Sequence, residues 1–225
     1  MRVLCLNCNR RSERLSDNIL QKNADIVLLQ EWISHKKDQS SVAKQTLKKL
    51  GNISSTRYLV TSSNKDHTVL YNDDRILISQ HNKQVIVNTY FPAGKTSDRI
   101  FHMEKLSKVI QELNLEPTLI AGDFNLAPRL EDGWYGDEYS NFTKRAERIK
   151  FQELLTVHQL SDMGSSKEWA PTFERQIRGR SSRFRCDLFL LRSDLLKQAE
   201  LSYDHKFRTE EGYSDHSALI LELEL

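Results

Sequence analysis

The chain has few cysteines, prolines and glycines: its 225 residues include 8 glycines, 4 prolines and 3 cysteines. Cysteines cross-link small secreted proteins, and prolines and glycines are common in linkers. An odd number of cysteines cannot form a fully paired disulfide framework, which favours a reducing compartment. No apolar run is longer than four residues, whereas a membrane-spanning helix needs about 20. Polar residues follow the first few N-terminal residues too closely to leave the apolar region of about 7–15 residues that a secretory signal needs. We therefore expect a protein that is not secreted, is cytoplasmic (nuclear in a eukaryote), and does not bind membranes.

Linkers and repeats are also lacking. No Pro/Gly/Ser-rich stretch interrupts the sequence, and strand-like and helix-like segments alternate along its whole length. Hydrophobic residues make up 38% of the chain and charged residues 28%, a composition that excludes disorder as the main state. The pattern predicts a single α/β domain over residues 1–225, and we expect a monomer.

Short β-like segments predict about ten strands, too many for one ordinary open sheet. Two packed sheets with helices outside are therefore expected. The predicted strands are 2–8, 25–30, 57–61, 68–71, 75–79, 84–90, 118–121, 184–191, 200–204 and 217–224. Helical periodicity predicts helices over 97–113, with Ser97 as N-cap, and over 144–159, and more weakly over 16–22, 41–50 and 193–198.

Carboxylate and amide side chains lie at or beside the ends of several apolar strands. A buried strand end gains nothing from an unpaired charge, which costs several kcal/mol to desolvate, so these groups are expected to meet at one rim of the sheets. Oxygen ligands in this number suit Mg²⁺ or Mn²⁺. Zinc is disfavoured, because Cys5 and Cys8 would point to opposite faces of a strand. The polar residues are Asn7, Asn9, Glu31, Asp123, Asn125, Asp187, Asp215 and His216.

The order of these motifs resembles the endonuclease/exonuclease/phosphatase superfamily, and within it the exonuclease III-type apurinic/apyrimidinic endonucleases. The resemblance covers essentially the whole chain and implies a four-layered α/β sandwich, the DNase I-like fold, with the site at one end of two packed sheets. Its motifs are Leu6-Asn7-Cys8-Asn9, Leu29-Gln30-Glu31, Thr89-Tyr90-Phe91-Pro92, Gly122-Asp123-Phe124-Asn125, Arg185-Cys186-Asp187-Leu188-Phe189 and Ser214-Asp215-His216.

The resemblance also implies roles for single residues. Glu31 would be the main Mg²⁺ ligand, helped by Asn7 and Asp215 with Asn9 close by, and Mn²⁺ would substitute. Asp123 would orient or deprotonate the attacking water, and Asn125 would hold that water or the phosphate. Asp187 would fix His216 and raise its pKa, and Tyr90 would contact the same phosphate. One departure is Ala93, where the family usually has Asn.

Arginines carry the argument for a nucleic-acid partner, because the net charge is only +2. Arg10 and Arg11 follow the Asn9 motif, while Arg178 and Arg180 belong to an arginine-rich segment, 175–185, that we interpret as a loop projecting at the site rim. For Phe173 and Phe184, with Cys186, two interpretations remain open: an apolar pocket for a flipped-out abasic sugar, or plain core.

The sequence therefore predicts a Mg²⁺-dependent phosphodiesterase acting on DNA, with duplex carrying abasic or 3′-blocked lesions as its partner. The alternatives are another superfamily member, such as a retroelement-like nicking endonuclease or an enzyme acting on RNA, lipid or small-molecule phosphates, and a catalytically dead binding module. Retention of every titratable position argues against the last.

Overall fold

The computed structural model describes residues 1–32, 41–210 and 213–224. Its strands are β1 (Arg2–Asn7), β2 (Ile26–Gln30), β3 (Asn52–Ser55), β4 (Leu59–Ser63), β5 (Thr68–Asn72), β6 (Ile76–His81), β7 (Gln84–Tyr90), β8 (Leu119–Asp123), β9 (Gly133–Tyr135), β10 (Glu138–Tyr139), β11 (Leu160–Asp162), β12 (Phe173–Ile177), β13 (Arg180–Phe184), β14 (Asp187–Arg192), β15 (Ala199–Asp204) and β16 (Ala218–Leu223). The α-helices are α1 (Ser12–Gln21), α2 (Ser41–Lys49), α3 (Thr96–Glu112), α4 (Arg145–Val157) and α5 (Lys206–Thr209). Short 3₁₀ turns cover Leu130–Asp132, Met163–Ser166 and Ser193–Gln198.

Two six-stranded sheets form the centre of the fold. The first sheet has the order β15-β16-β1-β2-β4-β3, and the second has the order β11-β14-β8-β7-β6-β5. Helices α1 and α2 cover the outer face of the first sheet, and α3 and α4 cover that of the second. The expected four-layered sandwich is confirmed.

Side-chain alternation explains why these strands are buried on both faces. In β1, Val3 and Cys5 face the second sheet, whereas Leu4 and Leu6 pack against the outer helices. Successive side chains of a strand point to opposite faces, so a strand covered on both sides reads as a continuous apolar run. Cys8, which follows β1, lies in the outer cluster and Cys5 in the inner one. The cysteines in the described residues are buried and free.

The predicted strand 184–191 is wrong, because the chain changes sheet within it. β13 ends at Phe184 in a third, small sheet of order β10-β9-β13-β12, and β14 begins at Asp187 in the second sheet. The intervening Arg185 is directed into an ion-pair cluster, and its backbone N–H donates to Asp132 O at 2.8 Å. The arginine-rich segment is correspondingly a β-hairpin and not a loop.

The N-cap prediction for the long helix is also wrong. Helix α3 begins at Thr96, and Lys95 is its N-cap. The reason is Asp98, whose carboxylate accepts a hydrogen bond from the Lys95 backbone N–H at 3.2 Å and so places the N-cap two residues before Ser97. Among the described residues, no helix has the length and apolar content needed to span a bilayer.

Candidate active site

The central strands bring their polar ends together at one rim of the two sheets. Asn7, Tyr90, Asp123 and Asp187 each share a strand face with residues of the inter-sheet core. In the second sheet Asp123 lies opposite both Tyr90 and Asp187, and in the first sheet Asn7 lies opposite Gln30. The alternation that buries the apolar residues therefore also directs these polar groups into the gap between the sheets.

A glycine is required directly before Asp123. Gly122 has φ +151°, and a Cβ at that position would lie 1.8 Å from the Thr89 carbonyl oxygen of the neighbouring β7. Only glycine permits this close approach of the two backbones. Gly122 thus determines how the end of β8 presents Asp123 next to Tyr90.

Asp123 is 1% exposed and is held by amide donors. Its Oδ2 accepts from Asn7 Nδ2 at 2.9 Å and from Asn125 Nδ2 at 3.2 Å, and its Oδ1 accepts from the Asn125 backbone N–H at 2.9 Å. Burial raises the pKa of the Asp123 carboxyl above its usual value, and the charge of His216 and these hydrogen bonds oppose the rise. Asp123 is therefore a stronger base than an exposed aspartate.

His216 and Asp187 form a buried pair. His216 Nδ1 lies 2.9 Å from Asp187 Oδ2, which leaves Nε2 directed towards Asp123 Oδ2 at 4.0 Å. Burial alone would lower the pKa of His216, but the carboxylates of Asp187, Asp123 and Asp215 raise it above its usual value. The imidazole is therefore cationic at neutral pH.

Two hydroxyl groups that the sequence analysis missed hold this pair in place. Thr172 Oγ1 accepts from the backbone N–H of Cys186 at 3.1 Å and of Asp187 at 3.0 Å. Ser214 Oγ accepts from the His216 backbone N–H at 3.1 Å and donates to the Asn7 carbonyl at 2.6 Å. Ser214 belongs to the Ser214-Asp215-His216 motif but had no role assigned, and Thr172 lies outside the six motifs.

Glu31 follows β2 in the left-handed region, with φ +49°. This conformation is uncommon for a residue other than glycine and indicates a constrained position. Its Oε1 accepts a hydrogen bond from the Tyr90 hydroxyl, and its Oε2 lies 3.2 Å from Arg10 Nε. Burial, Asp123 and Glu31 raise the pKa of Tyr90 above its usual value, so its hydroxyl remains a donor.

The oxygen donors at this rim suit a hard divalent cation. Asp215 Oδ1 is buried without a hydrogen-bond partner and lies 3.8 Å from His216 Nε2. With Glu31 and Asn7, Asp215 supplies the carboxylate and amide oxygens that such ions prefer. Asn9 contributes its backbone N–H, which donates to Asn7 Oδ1 at 2.9 Å.

Asp123, Cys186 and His216 also bring three ligand atoms within 4.8 Å of one another. This second group suits a hard cation poorly. Burial raises the pKa of the Cys186 thiol well above its usual value, and His216 is already paired with Asp187. The oxygen donors on the Glu31 side of the rim suit such a cation better.

An aromatic cavity of about 550 Å³ opens beside His216 and Asn125. The structure places Phe173, Phe184 and Cys186 in its wall, with Phe173 5.0 Å from the His216 ring between centroids. Phe184 and Cys186 are also buried in a small apolar cluster. Two further aromatic side chains of the wall, Tyr135 and Phe142, were missed by the sequence analysis.

The predicted phosphate-binding arginines lie at two places. Arg178 occupies the turn between β12 and β13 and lines the aromatic cavity, while Arg180 begins β13 with its guanidinium 5.5 Å from the Tyr135 ring. Arg10 is exposed beside Glu31, and Arg11 Nη1 donates to the Tyr213 carbonyl at 2.6 Å. The side chain of Arg11 is therefore partly committed to the protein itself.

Arg185 does not belong with the surface arginines. It is 2% exposed, and its guanidinium pairs with Asp132 at 2.8 Å and with Asp162 at 2.7 Å. Asp132 precedes β9 and Asp162 ends β11, so these ion pairs join both segments to Arg185, which directly precedes Cys186 and Asp187. Arg185 is therefore part of the scaffold of the site and not a phosphate contact.

Comparison with known proteins identifies the family. The model of the Endonuclease/Exonuclease/phosphatase family matches residues 3–216, so the chain belongs to that family. Its members are hydrolases of phosphodiester bonds and are typically dependent on a divalent metal, and this chain is an enzyme of that class. No curated protein sequence matches the chain.

Solved structures share the fold at low sequence identity. An AP endonuclease from Archaeoglobus fulgidus superimposes with a TM-score of 0.80 at 17% identity, and each chain is covered completely. The 3′ phosphatase NExo from Neisseria, bound to a product DNA hairpin, has a TM-score of 0.80 at 21% identity, also with complete coverage. The endonuclease domain of the retrotransposon TRAS1 has a TM-score of 0.68 at 16% identity, covering 100% of this chain and 98% of that one.

Proposed function

We propose that the protein is a Mg²⁺-dependent DNA phosphodiesterase that incises duplex DNA at abasic sites and removes 3′ blocking groups. The observation that carries this proposal is the aromatic cavity beside Asn125 and His216. A base-less sugar turned out of the duplex would enter that cavity and place its phosphate beside Asp123 and His216. The similar structures of an AP endonuclease and of a 3′ phosphatase bound to product DNA support the same substrate class.

Asp123 serves as the base for the attacking water. Its raised pKa makes it a better proton acceptor, because general bases work best with a pKa near the working pH. Asn7 and Asn125 orient the carboxylate through hydrogen bonds of 2.9–3.2 Å. The water proton moves to Asp123 as the water oxygen attacks phosphorus and the bond to the 3′ oxygen breaks.

His216 stabilises the charge that develops on the phosphate. With Nδ1 held by Asp187, the cationic ring directs Nε2 towards the side where Asp123 lies, 4.0 Å away. The imidazole and the base therefore face the same small space, where the phosphate and the attacking water would lie beside them. A fixed donor aimed at a developing negative charge is a large contributor to catalysis in a water-poor site.

Glu31, Asn7 and Asp215 would hold the cation. Bound there, Mg²⁺ would polarise a phosphate oxygen and stabilise the leaving 3′ alkoxide. The Tyr90 hydroxyl and Arg10 hold the Glu31 carboxylate in place.

Arginines at the cavity mouth supply the DNA contacts. Arg178 and Arg180 lie on the hairpin that carries Phe173 and Phe184, so phosphate binding and sugar capture are made on one element. Arg10 would contact a phosphate beside the metal, and Arg11 one step further along the backbone. Cation–phosphate contacts of this kind set affinity and register, not sequence preference.

A cleavage assay tests the proposal. The protein is incubated with a duplex carrying one abasic analogue, with an undamaged duplex and with inositol phosphates, each with Mg²⁺ or EDTA. Incision 5′ to the lesion only, and only with Mg²⁺, is the expected result. Nicking of the intact duplex would favour a retroelement-like endonuclease, and hydrolysis of inositol phosphates a small-molecule phosphatase. Inactivity on all three would refute an enzymatic role on these substrates.

A further inference from the structure

A closed circuit of contacts surrounds Glu31 and crosses from one sheet to the other. The Glu31 backbone N–H donates to the Tyr58 carbonyl at 2.8 Å, and its carboxylate accepts from the Tyr90 hydroxyl. Tyr58 precedes β4 of the first sheet, whereas Tyr90 ends β7 of the second. The two tyrosine rings meet edge to face, with centroids 5.8 Å apart, and the Arg75 side chain contacts both of them.

Arg75 lies against two aromatic rings that meet edge to face, with their planes inclined at 61°. Its guanidinium carbon is 4.5 Å from the Tyr58 ring centroid and 4.7 Å from that of Tyr90. Its Nη1 donates to the Tyr90 carbonyl at 3.2 Å, and its own carbonyl accepts from the Tyr90 backbone N–H at 3.0 Å and from Thr89 Oγ1 at 3.1 Å. The guanidinium is therefore oriented by the backbone of the second sheet and contacts an aromatic residue of the first.

We propose that Arg75 is a positioning residue that holds Glu31 in its metal-binding conformation through Tyr58 and Tyr90. The inference rests on the proposed function in one respect only, the use of Glu31 as a metal ligand. Glu31 has φ +49°, and a residue in that region persists only when its surroundings constrain it. The circuit constrains Glu31 at both ends, at its amide through Tyr58 and at its carboxylate through Tyr90.

The planar guanidinium is the chemical requirement of this position. Arginine can lie against two inclined rings and still donate from the plane of its guanidinium to the Tyr90 carbonyl, whereas a lysine ammonium has no planar group that does both. The sequence around Arg75 gave no indication of this role. Arg75 precedes β6 of the second sheet and Tyr58 precedes β4 of the first, so their contact depends on how the sheets pack.

The test compares R75M, which keeps the aliphatic stem, and R75K, which keeps the charge, with wild type. The matched control is R192M at the opposite end of β14 from Asp187, where Arg192 pairs with Asp194 at 2.7 Å. Three quantities are measured: hydrogen exchange of the Glu31 amide by NMR in metal-free protein, binding of Mn²⁺ by electron paramagnetic resonance, and kcat and KM on the abasic duplex.

In R75M we expect the Glu31 amide to exchange about tenfold faster while the Leu28 amide in the same strand is unchanged, because only the end of β2 is released. Mn²⁺ should bind about tenfold more weakly, and kcat should fall while KM for DNA stays within about threefold. R75K should fall between R75M and wild type, and R192M should match wild type.

Unchanged exchange of the Glu31 amide in R75M would overturn the proposal. A raised KM with unchanged kcat would also overturn it, since Arg75 would then contact DNA directly. If R75M does not unfold cooperatively, R75K decides by the same measurements. If wild type neither binds Mn²⁺ nor cleaves the duplex, the proposed function fails, while the exchange measurement still decides whether Arg75 holds Glu31.

Discussion

Replacing Asp123 by Asn should abolish most turnover and leave the fold and DNA binding nearly intact. The three hydrogen bonds to the Asp123 carboxylate come from two donors of Asn125 and one of Asn7. If the oxygen of the new amide accepts from the Asn125 backbone N–H, its NH₂ group faces the side-chain NH₂ groups of Asn7 and Asn125. These groups are all donors, so their hydrogen bonds are lost. The unsatisfied polar groups cost about 1–3 kcal/mol.

A second effect opposes this cost. Burial raises the pKa of Asp123 from its usual 3.8 to about 7. Between these two pKa values the folded protein binds more protons than the unfolded chain. The free energy of unfolding therefore falls as pH rises through that window. At pH 8 the ionised carboxylate imposes its full penalty, which neutral Asn removes. We therefore expect the free energy of unfolding of D123N at pH 8 to lie within about 2 kcal/mol of wild type.

Loss of the base should lower the rate of the chemical step by about 10²–10⁴-fold, or about 2.7–5.5 kcal/mol of transition-state stabilisation. Single-turnover cleavage of the abasic duplex measures the rate, fluorescence anisotropy measures the Kd for DNA, and urea unfolding measures stability. The matched control is Asp204→Asn. Asp204 ends β15 and pairs with Lys22, so this variant should retain wild-type rates. A D123N rate within tenfold of wild type, or collapse of DNA binding in a folded variant, would refute the role assigned to Asp123.

Four further predictions follow from single contacts. Glu31→Ala should raise the Mg²⁺ concentration for half-maximal activity at least about tenfold, with partial rescue by Mn²⁺; an unchanged metal titration would contradict the ligand assignment. The double variant Arg178→Ala, Arg180→Ala should weaken DNA binding and reduce its salt dependence by about two counterions. An unchanged slope of log K against log salt concentration would show that these arginines do not contact DNA. Arg185→Met, which strands two carboxylates now 2.7–2.8 Å from the guanidinium, should lower the free energy of unfolding by about 3–5 kcal/mol in urea; a loss under about 1 kcal/mol would contradict that. Burial lowers the pKa of His102 from 6.5 to about 4, so the unfolded chain binds the extra proton and stability should fall by about 3 kcal/mol as pH drops from 6.5 to 4. His102→Leu should flatten that dependence in urea titrations, and an equally steep profile would assign it to other groups.

Much of the fold was predictable because it depends on neighbours in the chain. The alternation of apolar residues predicted the strands that build both large sheets, and the helical stripe after residue 95 predicted α3. The small third sheet was not predictable in the same way. β9 has three residues and β10 has two, too few to show a period, and β13 runs on into the sequence of β14 without a turn residue.

Local sequence also identified the polar groups of the site but not their supports. Asn7, Glu31 and Asp123 stand out because each follows an apolar strand where an unpaired polar group is costly. Thr172 and Ser214 carry no such signal, and Arg185 looks like its exposed neighbours although it is 2% exposed. The catalytic and binding roles of the site residues remain predictions that the experiments above address.

The amino-acid sequence alone determined the class of fold, the strand ends that carry the polar groups and the family, since all three depend on residue type and short-range order. Only the tertiary structure decided that Tyr58, Arg75 and Tyr90 are in contact across two sheets, that Arg185 is buried and that Phe173 and Phe184 line an open cavity. These contacts join segments distant in sequence, and their register depends on how the two sheets pack as a whole. No local pattern records that packing.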